Sequence, residues 1–168
     1  MNRKITAHYT LVGGQLRSNI VVEVDSSRRI VSVVESATID SMAGVEFYPG
    51  ILIPGMVNLH CHLELAYLRG AIEEQTGFAG FARAIGMVRD KFTIEERLHA
   101  AYVADAAMWE QGIEVVADIA NDDLVMPVKE RSHIEYYTLF EFFGLNNHNT
   151  TPLEQLAERY PNAGVTPH

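Results

Sequence analysis

Apolar, strand-like segments alternate with helix signatures after Pro54, and this alternation constrains the fold more than any other feature. The segment from Ile51 to His60 is a nearly continuous apolar run broken by Pro54-Gly55, which is typical of a strand buried on both faces. Further strand-like segments lie at residues 113–119, 136–143 and 163–168. Strands that alternate with helices indicate an α/β protein with a parallel sheet, either open or closed into a barrel.

Three helices are predicted between these strands. Apolar residues spaced three and four apart over residues 78–88 give one helix an apolar face. The sequence Thr-Ile-Glu-Glu at 93–96 is a capping box for a helix that runs to about Gln111, and Gly112 ends it. Thr-Pro-Leu-Glu at 151–154 combines an N-cap, a proline at the first helical position and a glutamate. It opens a helix that runs to about Tyr160.

Residues 1–52 have a different pattern and are predicted to form a small β-sheet segment. The β-branched runs at 21–24 and 30–34 flank the turn residues Asp-Ser-Ser at 25–27, which indicates a hairpin. The pair Gly13-Gly14 marks an earlier turn. The predicted organisation is therefore a β segment over residues 1–52, followed by an α/β segment over residues 53–168.

Composition narrows the function classes. The chain of 168 residues has 48% hydrophobic and 21% charged residues and a net charge of −9, which fits a soluble globular protein and argues against nucleic acid or an anionic membrane surface as partner. No apolar run approaches the roughly 18 residues of a membrane span, and no signal peptide is evident. The single cysteine excludes an intrachain disulfide. We expect a cytoplasmic protein that binds a small-molecule substrate.

The chemical signal is a pair of histidines one residue apart, His60 and His62, at the end of the first apolar strand. Alternate residues of a strand project from the same face, so the two imidazoles lie together and Cys61 projects oppositely. Such a pair suits Zn²⁺ or another first-row metal, and imidazole suits iron as well as zinc. The alternative is two polar side chains at a strand end that bind backbone carbonyls.

The surrounding sequence, "PGMVNLHCHLEL" at 54–65, resembles the first-strand signature of the amidohydrolase superfamily, in its branch of chlorohydrolases and nucleoside-type deaminases. The segment at 76–91 is similar to the helical segment that follows this strand. The segment at 112–122 is similar to the second strand, and "TPH" at 166–168 to the opening of the fourth. The N-terminal strands resemble the β-sandwich that these enzymes append to their barrel.

This resemblance implies the first half of a TIM-like (β/α)8 metal-dependent hydrolase barrel, strands one to four, preceded by a small β-sandwich segment. It implies one divalent metal held by His60 and His62, with His168 contacting substrate. The implied reaction is hydrolytic deamination, at a C–N bond that is not a peptide bond, of a purine- or nucleoside-like compound of the aminodeoxyfutalosine type. The remaining catalytic residues are expected beyond the end of this chain.

A second hypothesis stays open beside this one. A complete barrel needs about 250 residues, whereas the segment after residue 52 has room for four strands. The chain is then a truncated, catalytically incomplete amidohydrolase fragment without turnover. Whether these 168 residues are active alone, and whether they form homo-oligomers, is left open by the sequence.

Two glutamates are candidate substrate-binding residues. Glu64 follows His62 by two, so a continuing strand puts it on the metal's side, where it binds substrate or orients a ligand; the alternative is a rim carboxylate in water. Glu141 lies within an apolar strand, where an unpaired buried carboxylate is disfavoured. A role facing the barrel interior is favoured over a strand-end position.

Other residues are weaker candidates for the functional site. Asp118, near the end of the second strand, either faces the barrel interior or caps the next turn, and capping is favoured. His148 lies in a loop on the predicted active rim and is either solvated or in contact with a ligand. His99 is expected on a helix surface, Arg69 in solvent, and Cys61 in packing contacts.

Overall fold

The chain forms two compact units that meet in sequence at the Pro-Gly pair predicted to break the apolar run. They comprise Met1–Pro54 and Gly55–His168. The computed structural model describes residues 2–36, 44–142 and 151–167. His148 and His168 therefore lie outside the described residues.

The first unit is a five-stranded mixed sheet. Pairing links the strands in the order β2-β1-β3-β4, and β5 also pairs with β1. Only the β1–β5 pair is parallel. The strands are β1 (Arg3–Val12), β2 (Gln15–Arg17), β3 (Ile20–Val24), β4 (Ile30–Glu35) and β5 (Val45–Leu52).

Both turns predicted for this unit are confirmed. Asp25 closes the β3–β4 hairpin, since its Oδ1 accepts hydrogen bonds from the main-chain N–H groups of Ser27 at 2.8 Å and Arg29 at 2.9 Å. Gly13 and Gly14 join β1 to β2 with φ of 57° and 77°, a conformation that glycine adopts without strain. The described strands form one sheet, and the likeness to a β-sandwich stays a prediction.

The second unit is a parallel sheet whose strands follow one another in space as they do in sequence, in the order β6-β7-β8-β9. Helices separate the strands, so the predicted α/β class is confirmed, whereas closure into a barrel stays a prediction. No helix in the described ranges is long and apolar enough to cross a membrane. The elements are β6 (Met56–Cys61), α1 (Gly77–Val88), α2 (Ile94–Glu110), β7 (Ile113–Ala120), α3 (Met126–Lys129), β8 (Glu135–Phe142), α4 (Thr151–Arg159) and β9 (Gly164–Pro167), with 3₁₀ turns at Leu63–Leu68 and Arg89–Lys91.

Helix α2 begins and ends where the sequence predicts. Thr93 Oγ1 accepts from the Glu96 N–H at 3.2 Å, and a Glu96 carboxylate oxygen accepts from the Thr93 N–H at 2.8 Å. This capping box satisfies two N–H groups that have no partner within the helix. Gly112 follows the helix with φ of 83°, as expected of a terminating glycine.

The core of this unit lies between the sheet and helices α2 and α3. Leu63, Ala101 and Val125 are buried at its centre. Cys61 of β6 and Tyr136 of β8 pack against them, so these two residues mark the helix-covered face of the sheet.

One burial prediction is wrong. The apolar strand was expected to be buried on both faces, but Val57 is 56% exposed and Leu59 is 79% exposed. The apolar face of α1 is only partly covered: Ile85 and Val88 are half-buried, whereas Phe78 is 84% exposed and no residue of α1 is fully buried. The reason is geometric: the cluster of buried residues described around this sheet covers the face that carries Cys61 and Tyr136.

Candidate metal centre

The two histidines meet at the C-terminal end of β6. Their ring centroids lie 5.1 Å apart and their planes are inclined at 76°. His60 is exposed and His62 is partly buried, while Cys61 between them packs against the helix-side core. The structure therefore brings together the two side chains that the sequence singled out.

A bulge in β6, rather than regular alternation, shapes this strand end. Asn58 pairs with Val116 and Cys61 pairs with Asp118, so three steps along β6 match two along β7. Asn58 Oδ1 accepts a hydrogen bond from the His60 N–H at 3.1 Å within the bulge. Bulges re-aim side chains and are frequent beside active sites. Strict alternation of side chains along β6 does not allow for this extra residue.

The histidine pair fits a divalent metal ion. His62 Nδ1 is buried without a hydrogen-bond partner in the part of the chain that the structure describes, and an orphaned buried nitrogen is costly unless it binds something. Two imidazoles that share one tetrahedral zinc, with Zn–N bonds of about 2.0–2.1 Å, have ring centroids about 5 Å apart. The observed 5.1 Å agrees with that separation.

The donor set within the described ranges is incomplete. No group of three or more His, Cys, Asp or Glu side chains placed to hold a metal ion occurs among residues 2–36, 44–142 and 151–167. A catalytic zinc ordinarily takes three protein ligands and a water. His60 and His62 would therefore supply two of the three protein ligands that such a centre needs.

The prediction for Glu64 assumed that the strand continues to this residue, and it does not. The strand ends at Cys61 and the 3₁₀ turn Leu63–Leu68 begins. The Glu64 side chain is 1% exposed, so the alternative of a rim carboxylate in water is wrong. Its Oε2 accepts from the N–H groups of Asn121 at 2.8 Å and Asp122 at 3.3 Å. Burial raises the pKa of Glu64 to about 7. A contact with substrate stays a prediction.

Asp118 takes neither of the two positions weighed from the sequence. Its carboxylate is fully buried on the helix-covered face, and Oδ1 accepts from the Leu63 N–H at 2.7 Å. Oδ2 lies 2.5 Å from Nζ of Lys129, whose side chain is also buried. Asp118 therefore anchors the segment after β6 rather than capping the turn that follows its own strand.

Glu141 lies on the sheet face opposite to the helices. It alternates along β8 with the buried Thr138 and Phe140, whose side chains face the helix layer. Its main-chain oxygen accepts from Nδ2 of Asn121 at 2.9 Å. This placement is compatible with the predicted interior-facing role, and a contact with substrate stays a prediction.

Sequence reasoning missed Lys129 and the short helix α3 that carries it. The available signal was Asp118, a charge within the apolar segment at residues 113–119. A charge in a core is disfavoured unless it meets an opposite charge. Lys129 itself gives no such signal, because Glu130 and Arg131 follow it. His99, in contrast, is exposed on α2 as predicted.

An open cleft of about 320 Å³ adjoins the pair at His62. Such a volume accommodates part of a small organic molecule beside the metal position. Its lining is mostly apolar, with one cationic side chain: His62, Leu65, Ala66, Leu68, Arg69, Phe81 and Ala104.

We expect the Cys61 thiol to be unreactive in the folded protein. Burial, reinforced by the neighbouring Asp118 carboxylate, raises the pKa of Cys61 to about 12, so little thiolate exists at pH 8. Labelling with a chromogenic disulfide at pH 8 should be at least about a hundredfold slower in buffer than in 8 M urea. Equal rates in the two solvents would contradict the packing of Cys61 against the helix-side core.

Known proteins resemble this chain in part of its sequence and in its fold. No family model matches the chain. A curated 5-methylthioadenosine/S-adenosylhomocysteine deaminase of Haloarcula marismortui is 26% identical over 103 residues, which cover 61% of this chain and 24% of that protein.

Several solved structures match nearly the whole chain. Aminofutalosine deaminase from Helicobacter pylori, in complex with methylthio-coformycin, matches with a TM-score of 0.78 and 16% identity over 98% of this chain and 43% of that one. Guanine deaminase from C. acetobutylicum with bound guanine matches with a TM-score of 0.70 and 15% identity, covering 99% and 45%. Atrazine chlorohydrolase TrzN from Arthrobacter aurescens TC1, complexed with zinc, matches with a TM-score of 0.67 and 16% identity, covering 98% and 46%.

These matches confirm the resemblance to deaminases and chlorohydrolases predicted from the sequence, since the similar structures are two deaminases and a chlorohydrolase. At 15–16% identity the likeness shows the fold. The chain spans about a quarter of the length of the curated relative and less than half of each solved structure.

Proposed function

We propose that this chain carries the first metal-binding strand of a divalent-metal-dependent hydrolase that deaminates a purine- or nucleoside-like compound. The observation that carries the proposal is the histidine pair: two imidazoles 5.1 Å apart at a parallel strand's C-terminal end, one with an unpartnered buried nitrogen. The fold shared with deaminases supports it.

Each residue around the pair has a defined task. His60 and His62 would hold the metal, which supplies a water that ionises near neutral pH. Asn58 holds the main chain of His60 within the bulge. Glu64 ties the 3₁₀ turn after the pair to the end of β7, and Arg69 lines the adjoining cleft.

The substrate class rests on the similar proteins and on the cleft. The names of the relatives specify 5-methylthioadenosine, S-adenosylhomocysteine, aminofutalosine and guanine. The apolar lining beside His62, including Phe81, suits a flat ring or a thioether. We favour an aminodeoxyfutalosine-type compound, with Glu64, Glu141 and His168 as substrate contacts. Zinc is favoured over iron because three of the similar structures hold zinc.

We also propose that the sheet β6-β7-β8-β9 is the first half of a (β/α)8 barrel. Its strands are all parallel and stand in sequence order, as the strands of such a barrel do. The further metal ligands would then come from later strands. The cytoplasmic location and the homo-oligomer expected from the sequence stay predictions.

A second candidate is a fragment that binds metal without turnover. The observation that favours it is the absence of a third ligand from the described ranges. Metal affinity and ammonia release, measured on the same preparation, separate the two candidates.

We expect the purified chain to bind about one equivalent of Zn²⁺, and H60A or H62A to weaken that affinity at least about a hundredfold. Each substitution removes one of two nitrogens that converge on the ion. Competition with a chromophoric chelator measures the affinity, and H99A is the matched control because His99 is exposed on α2. Equal zinc affinity in wild type and both variants would overturn the metal centre.

Turnover is tested by ammonia release from each of the four named compounds with the zinc-loaded chain. Ammonia release that disappears in H60A supports the hydrolase. Tight zinc binding without ammonia release from any of the compounds supports the fragment. Ammonia release that persists in H60A would contradict the role given to the pair.

A further inference from the structure

A single buried residue of β7, Asp118, is linked to both neighbours of His62. The Leu63 N–H, which follows His62, donates to Asp118 Oδ1 at 2.7 Å. Cys61, which precedes His62, is paired with Asp118 in the β6–β7 ladder.

The position of this contact matters because β6 is irregular there. The register between β6 and β7 shifts between Asn58 and Cys61, and His62 already lies beyond the strand, with φ of −128° and ψ of 76°. A side-chain bond from β7 therefore fixes the peptide after His62. The imidazole between two anchored neighbours has little freedom other than rotation about its own side-chain bonds.

The carboxylate is balanced on its other side. Lys129 Nζ lies 2.5 Å from Asp118 Oδ2, donates to Thr138 Oγ1 at 2.9 Å, and lies 5.6 Å from the centre of the Tyr136 ring. The side chains of Lys129 and Asp118 are 3% and 0% exposed. A buried ion pair is weak support for stability, since apolar residues of similar volume often serve as well. The bond from Asp118 to the residue after His62 indicates a different role for the ion pair, which is to orient that histidine.

We propose that Asp118 is a positioning residue for His62. Lys129 is then the counter-ion that compensates the charge of the buried Asp118 carboxylate. This inference rests on the proposed metal centre. Groups behind metal ligands orient them, and their loss costs roughly 10–100-fold in metal affinity. Asp118 does so through the main-chain N–H of Leu63.

Two double variants separate positioning from charge and from stability. D118N/K129M removes both charges and keeps an oxygen that accepts from the Leu63 N–H. D118L/K129M removes both charges and the acceptor, at similar volume. We expect D118N/K129M to bind Zn²⁺ within about threefold of wild type, and D118L/K129M to bind at least about tenfold more weakly. Circular dichroism at the assay temperature verifies that each variant is folded.

A donor-free backbone provides the second measurement, which does not depend on D118L/K129M folding. Replacing Leu63 by the corresponding α-hydroxy acid keeps the side chain and removes the N–H that Asp118 accepts. We expect at least about tenfold weaker zinc binding for this ester. The same replacement at Val103, an exposed position of α2, is the control.

The outcomes are distinct. Loss of affinity in D118L/K129M or in the Leu63 ester, with D118N/K129M and the Val103 ester near wild type, supports the inference. Wild-type affinity in the Leu63 ester overturns it, because the bond is then dispensable. If wild type itself binds no zinc through His60 and His62, the proposed function fails first and the inference fails with it.

Discussion

Replacing Lys129 by methionine is expected to lower the free energy of unfolding by about 3–5 kcal/mol. Methionine fills a similar volume but leaves the Asp118 carboxylate, which is 0% exposed, without its cation. An uncompensated buried charge is among the costliest single changes in a protein. The measurement is urea unfolding at pH 7, followed by the fluorescence of Trp109, the single tryptophan.

Two further variants test whether the lost stability comes from the unpaired Asp118 charge. D118N/K129M removes both charges, so we expect it to regain most of the lost stability. K91M changes an exposed lysine in the same way, and should stay within about 0.5 kcal/mol of wild type. A K129M protein as stable as K91M would show that the pair is solvated rather than buried.

Replacing Phe140 by alanine is expected to cost about 3–5 kcal/mol through lost burial and the cavity left behind. Phe140 is 0% exposed on the helix-facing side of β8, and its ring centroid lies 5.8 Å from that of Tyr160. Because Phe140 precedes Glu141, its loss should also loosen the strand end that presents that glutamate.

The control for Phe140 lies on the same strand with the opposite orientation. Tyr137 is 58% exposed, so Y137A should change the stability by less than about 1 kcal/mol. Chemical unfolding of both variants compares the two faces of β8 directly. Similar losses in F140A and Y137A would contradict the assignment of a single covered face.

The elements recognisable in the sequence are those with local causes. The capping box of α2, the terminating Gly112, and the turn at Asp25 each satisfy their hydrogen bonds within a few residues. Such interactions are encoded in short segments, so a reading of the sequence locates them. The strands β6 to β9 follow from apolar segments of suitable length between predicted helices.

The details of the site depend on contacts between distant segments, and these the sequence did not reveal. Glu64 was placed beside the metal on the assumption of a continuing strand. It instead accepts from the main-chain N–H groups of Asn121 and Asp122, which lie 57 and 58 positions later in the chain. Asp118 was assigned to its own turn, yet it accepts from Leu63, 55 positions earlier. These hydrogen bonds form only once the sheet has assembled, because their donors and acceptors are far apart in the sequence.

The sequence by itself determined the α/β alternation and the histidine pair, because periodicity, capping and the spacing of two imidazoles are properties of neighbouring residues. Only the tertiary structure decided which face of the sheet is covered, where β6 bulges, and how Asp118 and Lys129 meet beneath His62. Those features arise from strand register and from buried charges that find their partners across the fold, and no local pattern encodes them.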